Sequence, residues 1–233
     1  MAKIKWDETG TKFFEMGVRK GVLFPCTGAN GAYGAGVAWN GLTGVTETPG
    51  GADETKLYAD DIVYGSVRAT ETLGGTIEAY TYPDEWMVCD GSAFVNDSKK
   101  APIKGVTIGQ QKRVPFGLSY VTQIDNDQHI EGYKLHLIWN ATASPSDRSY
   151  TTIGDSPEAM TFSWEFSTTA TPIESYKAGA TTSLITIDTT KLTEAQKTVL
   201  TTLENKLYGT GSEEPSMPTP DEVIAMFTAA TQA

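Results

Sequence analysis

The chain has 233 residues, 39% of them hydrophobic and 10% aromatic, enough to bury a full core as one large β domain or two small ones. Its net charge of −11 argues against a protein that holds nucleic acid through a basic patch, because each phosphate contact needs a lysine or arginine. No apolar run is long enough for a membrane helix, and the start, Met1 to Trp6, lacks a basic-then-apolar signal, so synthesis in a cytoplasm is expected.

In chain order, Gly28 to Gly51 is glycine-rich and reads as a flexible loop entering a short strand around Val37 to Thr48. Thr48-Pro49-Gly50-Gly51-Ala52-Asp53 is a turn signal, Glu54 to Arg68 reads as extended, and Gly74-Gly75 marks another turn. Residues 47–75 therefore look like a long arm or hairpin with few apolar residues to hold it to its own core. A weak strand follows at Ile77, Ala79 and Thr81, stopped by Pro83, and Asp84 to Cys89 reads as a short helical turn. Asn96 to Gly105 is polar and loop-like.

The sheet signal is strongest further on. Val114, Phe116, Leu118 and Tyr120 alternate with smaller or polar residues, and a polar connection, Gln123 to Gly132, follows. Tyr133, Leu135, Leu137 and Trp139 then alternate with Lys134, His136 and Ile138, and Met160, Phe162, Trp164 and Phe166 with Thr161, Ser163 and Glu165. Such strands bury one face and leave the other wet or lightly covered. Ser144 to Asp147 and Asp155 to Glu158 read as turns, and Thr181 to Asp188 as a further extended segment. Threonine- and aromatic-rich strands between Gly/Pro/Asp turns describe a mainly β sandwich or barrel.

One helix stands out, residues 193–207, with Thr193 and Gln196 at capping-box spacing, Val199, Leu200, Leu203 and Leu207 on one side, and Gly209 as its stop. A linker and a short terminal helix occupy 211–233, with Thr219 as cap and Pro220 at the first helical position. Val223, Ile224 and Phe227 then need a surface, either the chain's own body or a second subunit.

Catalytic and cofactor signatures are weak. Gly34-Ala35-Gly36 is followed by Trp39 where a dinucleotide fingerprint needs glycine, and no Gly-Lys-Ser/Thr occurs. No Gly-x-Ser-x-Gly occurs either. Of the two histidines, His129 and His136, the latter falls mid-strand on the polar side and reads as a surface or interface residue. Asp125-Asn126-Asp127 opens like a calcium loop but lacks its later glycine and glutamate. Cys26 and Cys89, far apart in sequence, read as free, semi-buried thiols. The expectation is a non-enzymatic, architectural protein with no cofactor and no metal.

Several blocks carry a resemblance when taken in order. They are Val37-Ala38-Trp39-Asn40-Gly41-Leu42-Thr43, Leu57-Tyr58-Ala59-Asp60-Asp61, residues Gly75 to Glu85, Gly109-Gln110-Gln111, residues Ser156 to Trp164, and Pro220-Asp221-Glu222-Val223-Ile224. The series resembles the major tail protein of long-tailed bacteriophages, the subunit of the siphophage tail tube, from about Lys3 to Phe227. Asp61 departs from the expected asparagine, and the loop from Asn96 to Lys104 is longer than expected. The resemblance implies one tail-tube domain over 1–233, a β-sandwich or barrel with one flanking helix and a long extended loop. It further implies hexameric rings stacked into a virion tube that conducts DNA without binding it specifically. Tape-measure, tail-terminator and distal tail proteins would be its partners. The arm at 47–75, with Leu57, Tyr58, Asp60, Asp61, Val63 and Tyr64, is then the candidate ring-to-ring contact, and Val223, Ile224 and Phe227 a second. Six copies would carry roughly −66 per ring, six times the −11 of one chain, a charge that repels passing phosphate. Alternative readings are the tube subunit of a contractile or secretion-type injection machine, or a carbohydrate-binding β-sandwich using Trp39, Trp86, Trp139 and Trp164.

Overall fold

The computed structural model describes residues 4–51, 53–95, 102–127, 129–153, 155 and 158–231. Ala52 of the first expected turn, residues 96–101 of the expected polar loop, and Ser156 and Pro157 of a later turn lie outside them. In chain order the strands are β1 (Phe14–Pro25), β2 (Val37–Trp39), β3 (Leu42–Gly51), β4 (Glu54–Ala59), β5 (Ile62–Arg68), β6 (Glu71–Ala79), β7 (Ala93–Val95), β8 (Ile103–Ile108), β9 (Phe116–Asp125), β10 (Ile130–Ala143), β11 (Phe162–Thr168), β12 (Thr171–Ile173), β13 (Ala180–Thr182) and β14 (Leu184–Asp188). Helix α1 (Met87–Asp90) follows a 3-10 turn at Asp84–Trp86, and α2 (Glu194–Tyr208) and α3 (Pro220–Thr231) end the chain. The fold is mainly β and antiparallel.

Eight strands form one sheet in the order β2-β1-β9-β10-β11-β6-β3, with β14 also paired to β10. The two edge strands, β2 and β3, are consecutive in the chain and joined through Asn40 and Gly41, so the sheet rolls up on itself. Gly41 takes a left-handed φ of 76° there, and a Cβ would meet Thr81 at 2.8 Å. Inside, Leu23, Trp39, Ile77, Phe116, Leu118, Ile138, Trp164 and Phe166 share one core with Trp86 and Cys89 from the α1 segment. The Trp39, Trp86 and Trp164 rings lie 4.7–5.8 Å apart. Burial pushes the Cys89 thiol up to about 12, and both cysteines are free.

Outside, Val22, Phe24, Val121, Leu135, Leu137 and Trp139 pack under Leu200, Leu203 and Leu207 of α2 and Val223 of α3. The α2 capping box forms as its sequence predicts, Thr193 accepting from the Gln196 N–H and Gln196 from the Thr193 N–H. Thr219 and Glu222 exchange the same pair of bonds at α3. α3 docks on the chain's own body, through a Val223 that is 1% exposed.

β10 can serve two cores because its alternation reverses once. Ile138 faces the inner core, whereas Ala141 and Ala143 do so after the break, and the ladder with β9 shifts register between 138 and 141. Asn140 makes the bulge, at φ 49°. Its N–H donates to the Tyr33 hydroxyl at 2.9 Å and its amide to Thr171 at 2.7 Å. On the edge away from β9, β10 pairs with β14 over 134–138 and with β11 over 141–143, so the sheet forks at the bulge.

Several sequence expectations need correction. Pro49-Gly50-Gly51 is not a turn but the end of β3, paired with Leu73, Thr72 and Glu71; Pro49 is tolerated because β3 is an edge strand. Gly74 and Gly75 lie inside β6, and a Cβ on Gly75 would meet the Thr46 carbonyl at 2.0 Å and the Phe166 ring at 2.7 Å. Close strand packing, not a turn, requires glycine there. Val114 and Met160 precede their strands, and Met160 is 38% exposed. β1, β7, β8 and β12 are strands beyond the expected set, with β8 starting inside the segment expected to be a loop.

Replacing Asn140 with valine is expected to cost about 2–4 kcal/mol in chemical denaturation, since a β-branched residue is strained at positive φ and the two side-chain bonds, the amide's to Thr171 and the one its Oδ1 accepts from the Tyr33 hydroxyl, are lost. Asn140→Gly, which relieves the backbone but not the bonds, should cost about 1–2 kcal/mol.

Candidate functional site

The ladder of β4 and β5 runs from Glu54 opposite Arg68 to Ala59 opposite Ile62, leaving Asp60 and Asp61 as a two-residue turn. Their φ values of 50° and 61° give a primed turn, whose twist matches the strands and which Asp and Asn tolerate better than most residues. This geometry also accommodates aspartate where the resemblance expects asparagine. A bulge between Leu57 and Tyr58 leaves Tyr64 as the extra residue.

Among the described residues β4 and β5 pair only with each other, and the hairpin carries a large apolar load in water. Leu57 is 47% exposed, Tyr58 68%, Ile62 65%, Val63 51%, Tyr64 79% and Val67 56%. A two-stranded hairpin is marginal by itself, and contiguous exposed apolar surface marks an interaction site. Leu57, Tyr58, Asp60, Asp61, Val63 and Tyr64 thus stand together on one exposed element. The expected arm over 47–75 shrinks to the hairpin Glu54–Arg68, because 47–51 and 71–75 pair with each other in the main sheet. Of the second candidate group, Val223 is buried and Ile224 and Phe227 are half-buried over a cleft shared with Ile185, Leu192 and Gln196.

The base of the arm is tied to the sheet by a polar clasp. Glu47, in β3, accepts hydrogen bonds from the Tyr120 hydroxyl and lies 3.0 Å from His136 Nδ1. The imidazole stacks on Tyr120, centroids 4.6 Å apart and planes within 6°, and its Nε2 lies 3.0 Å from the Thr122 hydroxyl. Lys134 and Thr122 both donate to Glu15. His136 is therefore not a surface residue: it is 8% exposed, held between strands at the polar end of the inner core. The His136 hydrogen bond, working against burial, holds the Glu47 carboxyl below its ordinary value of 4.5. At Glu15 burial pushes up, but the bonds from Lys134 and Thr122 outweigh it and the carboxyl is again lowered.

A second exposed apolar element lies on the β7–β8 hairpin, where Ile103, Val106 and Ile108 are 45–54% exposed. Sequence reasoning passed over it, and over Phe13, Phe14 and Met16, which are also exposed. The signal was a cluster of bulky apolar residues in segments without alternation. Trp39, Trp86, Trp139 and Trp164 are at most 3% exposed, so they offer no platform for stacking on a sugar. Among the described residues no group of three or more His, Cys, Asp and Glu side chains is arranged to hold a metal ion.

Neither a scan against protein-family models nor a search of curated proteins returns a match to this sequence.

Because Glu47 and Glu15 titrate lower in the fold than in the open chain, their contribution is complete above pH 4.5 and is lost as pH falls through the depressed values. Glu47→Gln should lower stability by about 1–3 kcal/mol near neutral pH. It should also flatten the loss of stability on acidification below pH 4.5, as read by denaturant melts across that range.

Proposed function

We propose that the chain is a self-assembling structural subunit of the phage tail-tube type, forming hexameric rings that stack into a conduit for DNA. One observation carries the reading: a hairpin presenting six large exposed apolar side chains, Leu57, Tyr58, Ile62, Val63, Tyr64 and Val67, on a body whose central strands are already covered. Among the described residues the fold leaves those side chains about half or more exposed, and a second copy would cover them. A mainly β, antiparallel body with α2 packed against its sheet supports the reading, being compatible with the sandwich or barrel that the resemblance implies. The acidic composition suits a wall along which DNA slides, since phosphate contacts to lysine or arginine would hold it.

Light scattering and negative-stain electron microscopy of the purified protein over a concentration series test the reading. Six-fold rings or hollow tubes are expected. The Leu57→Ser/Tyr64→Ser variant should raise the concentration needed for assembly at least about thirtyfold, the effect of losing one interface hot spot, with an unchanged melting temperature. A wild-type monomer at every concentration, or a variant that assembles equally well, would contradict it.

A further inference from the structure

Beside α1 opens a cleft of about 530 Å³ whose walls include Asp90, Ser92, Gln111, Arg113, Ser146 and Arg148. The Asp90 side chain is 4% exposed and pairs through Oδ2 with the Arg148 guanidinium, which also lies over the Tyr82 ring, 5.8 Å from its centroid. The other carboxylate oxygen of Asp90, Oδ1, is buried without a hydrogen-bond partner among the described residues, and so is Nε of Arg113. Among the described residues no carboxylate pairs with Arg113. Arg148 neutralises Asp90, so Arg113 leaves the cleft cationic in a chain of net charge −11. Buried polar groups are almost always satisfied. This pair asks for an occupant that accepts from a guanidinium and donates to a carboxylate, as a peptide segment with an acidic side chain does.

The chain presents such a segment. Asp60 and Asp61 form no ion pair among the described residues, and as the central residues of the turn their N–H groups lie beyond the last pair of the ladder. Tip and cleft are at opposite ends of the body. β6 receives the chain from the arm at Glu71 and carries it to Ala79, from where it passes Pro83 into the turn bearing Asp90. Nine residues of strand span roughly 30 Å.

We propose that the Asp90/Arg113/Arg148 cleft receives the Asp60–Asp61 tip of the β4–β5 hairpin of a second copy of this chain. The inference rests on the reading of that hairpin as the ring-to-ring arm and names its receptor. A contact between two different patches at opposite ends is heterologous and propagates, so it builds a stack rather than a closed dimer. The exposed Ile103, Val106 and Ile108 of β8 lead through Gly109 and Gln110 to the cleft rim, which puts apolar surface beside the socket for the hairpin's own apolar sides.

The test compares wild type, Asp60→Asn/Asp61→Asn, Arg113→Gln and the combination in the concentration series. Asparagine keeps the turn and removes the charge. Each set should raise the assembly concentration about tenfold, the scale of one close charged pair, and the combination no more than either alone. Monomer melting temperatures should not move. In a geometric check, Asp61→Cys protein mixed with Gln111→Cys protein should form an intermolecular disulfide under mild oxidation. A wild type that assembles while the charge variants match it, or whose two effects multiply, or cysteines that do not cross-link, overturns the socket and leaves the tube reading standing. A wild type that never assembles overturns both.

Discussion

Strands β9 and β10 are covered on both faces, and the rest of the molecule is arranged to make that possible. One face closes on the tryptophan-rich interior, the other on the leucine stripe of α2 and on Val223 of α3. A strand alternating large apolar residues on both faces is poorly suited to water on either. The sheet therefore rolls up around one core while two helices lie over the other. Asn140 is the hinge of this design: its left-handed backbone lets a single strand leave one pairing partner and join another without exposing either core.

With the cores satisfied from within, what is left over becomes informative. The β4–β5 hairpin contributes nothing to either core, yet its turn chemistry, register and anchoring are well specified. Glu47 holds the strand that leads into it through Tyr120 and His136, so the hairpin leaves the body at a fixed place. A loose linker would need none of this. Ordering a segment costs about 1–2 kcal/mol per residue, so an arm already paired by its ladder gives up less entropy on association than a disordered one. The same logic applies to the cationic cleft, where Oδ1 of Asp90 and Nε of Arg113 are left without partners among the described residues.

Much of the fold was legible where local pattern and tertiary role agree. The alternation at Tyr133 to Trp139 and Phe162 to Phe166 gave strands, and the Thr193/Gln196 spacing gave a helix with its cap. β1 escaped notice because left-handed Gly17 and Lys20 and two register shifts break its alternation. His136 was misread for a related reason: the polar side of its strand faces the end of the interior, where a clasp replaces water. Pro49 and the Gly74-Gly75 pair carry turn chemistry, but an edge strand and a close strand contact use the same residues. The cleft was not legible at all, since Asp90, Arg113 and Arg148 come from three separate segments. The Asp60-Asp61 turn was hidden in what reads as one extended run over 54–68, and the exposure of the apolar residues around it needed three dimensions.

The central claim is that association covers the exposed apolar side chains of the β4–β5 hairpin. Hydrogen–deuterium exchange on dilute and on concentrated protein tests it most directly. The account predicts that amides of Leu57 to Val67 exchange fast in the dilute sample and become strongly protected in the concentrated one, while β9 and β10 stay protected in both. Equal, rapid exchange of the hairpin in particles that have demonstrably assembled would contradict it.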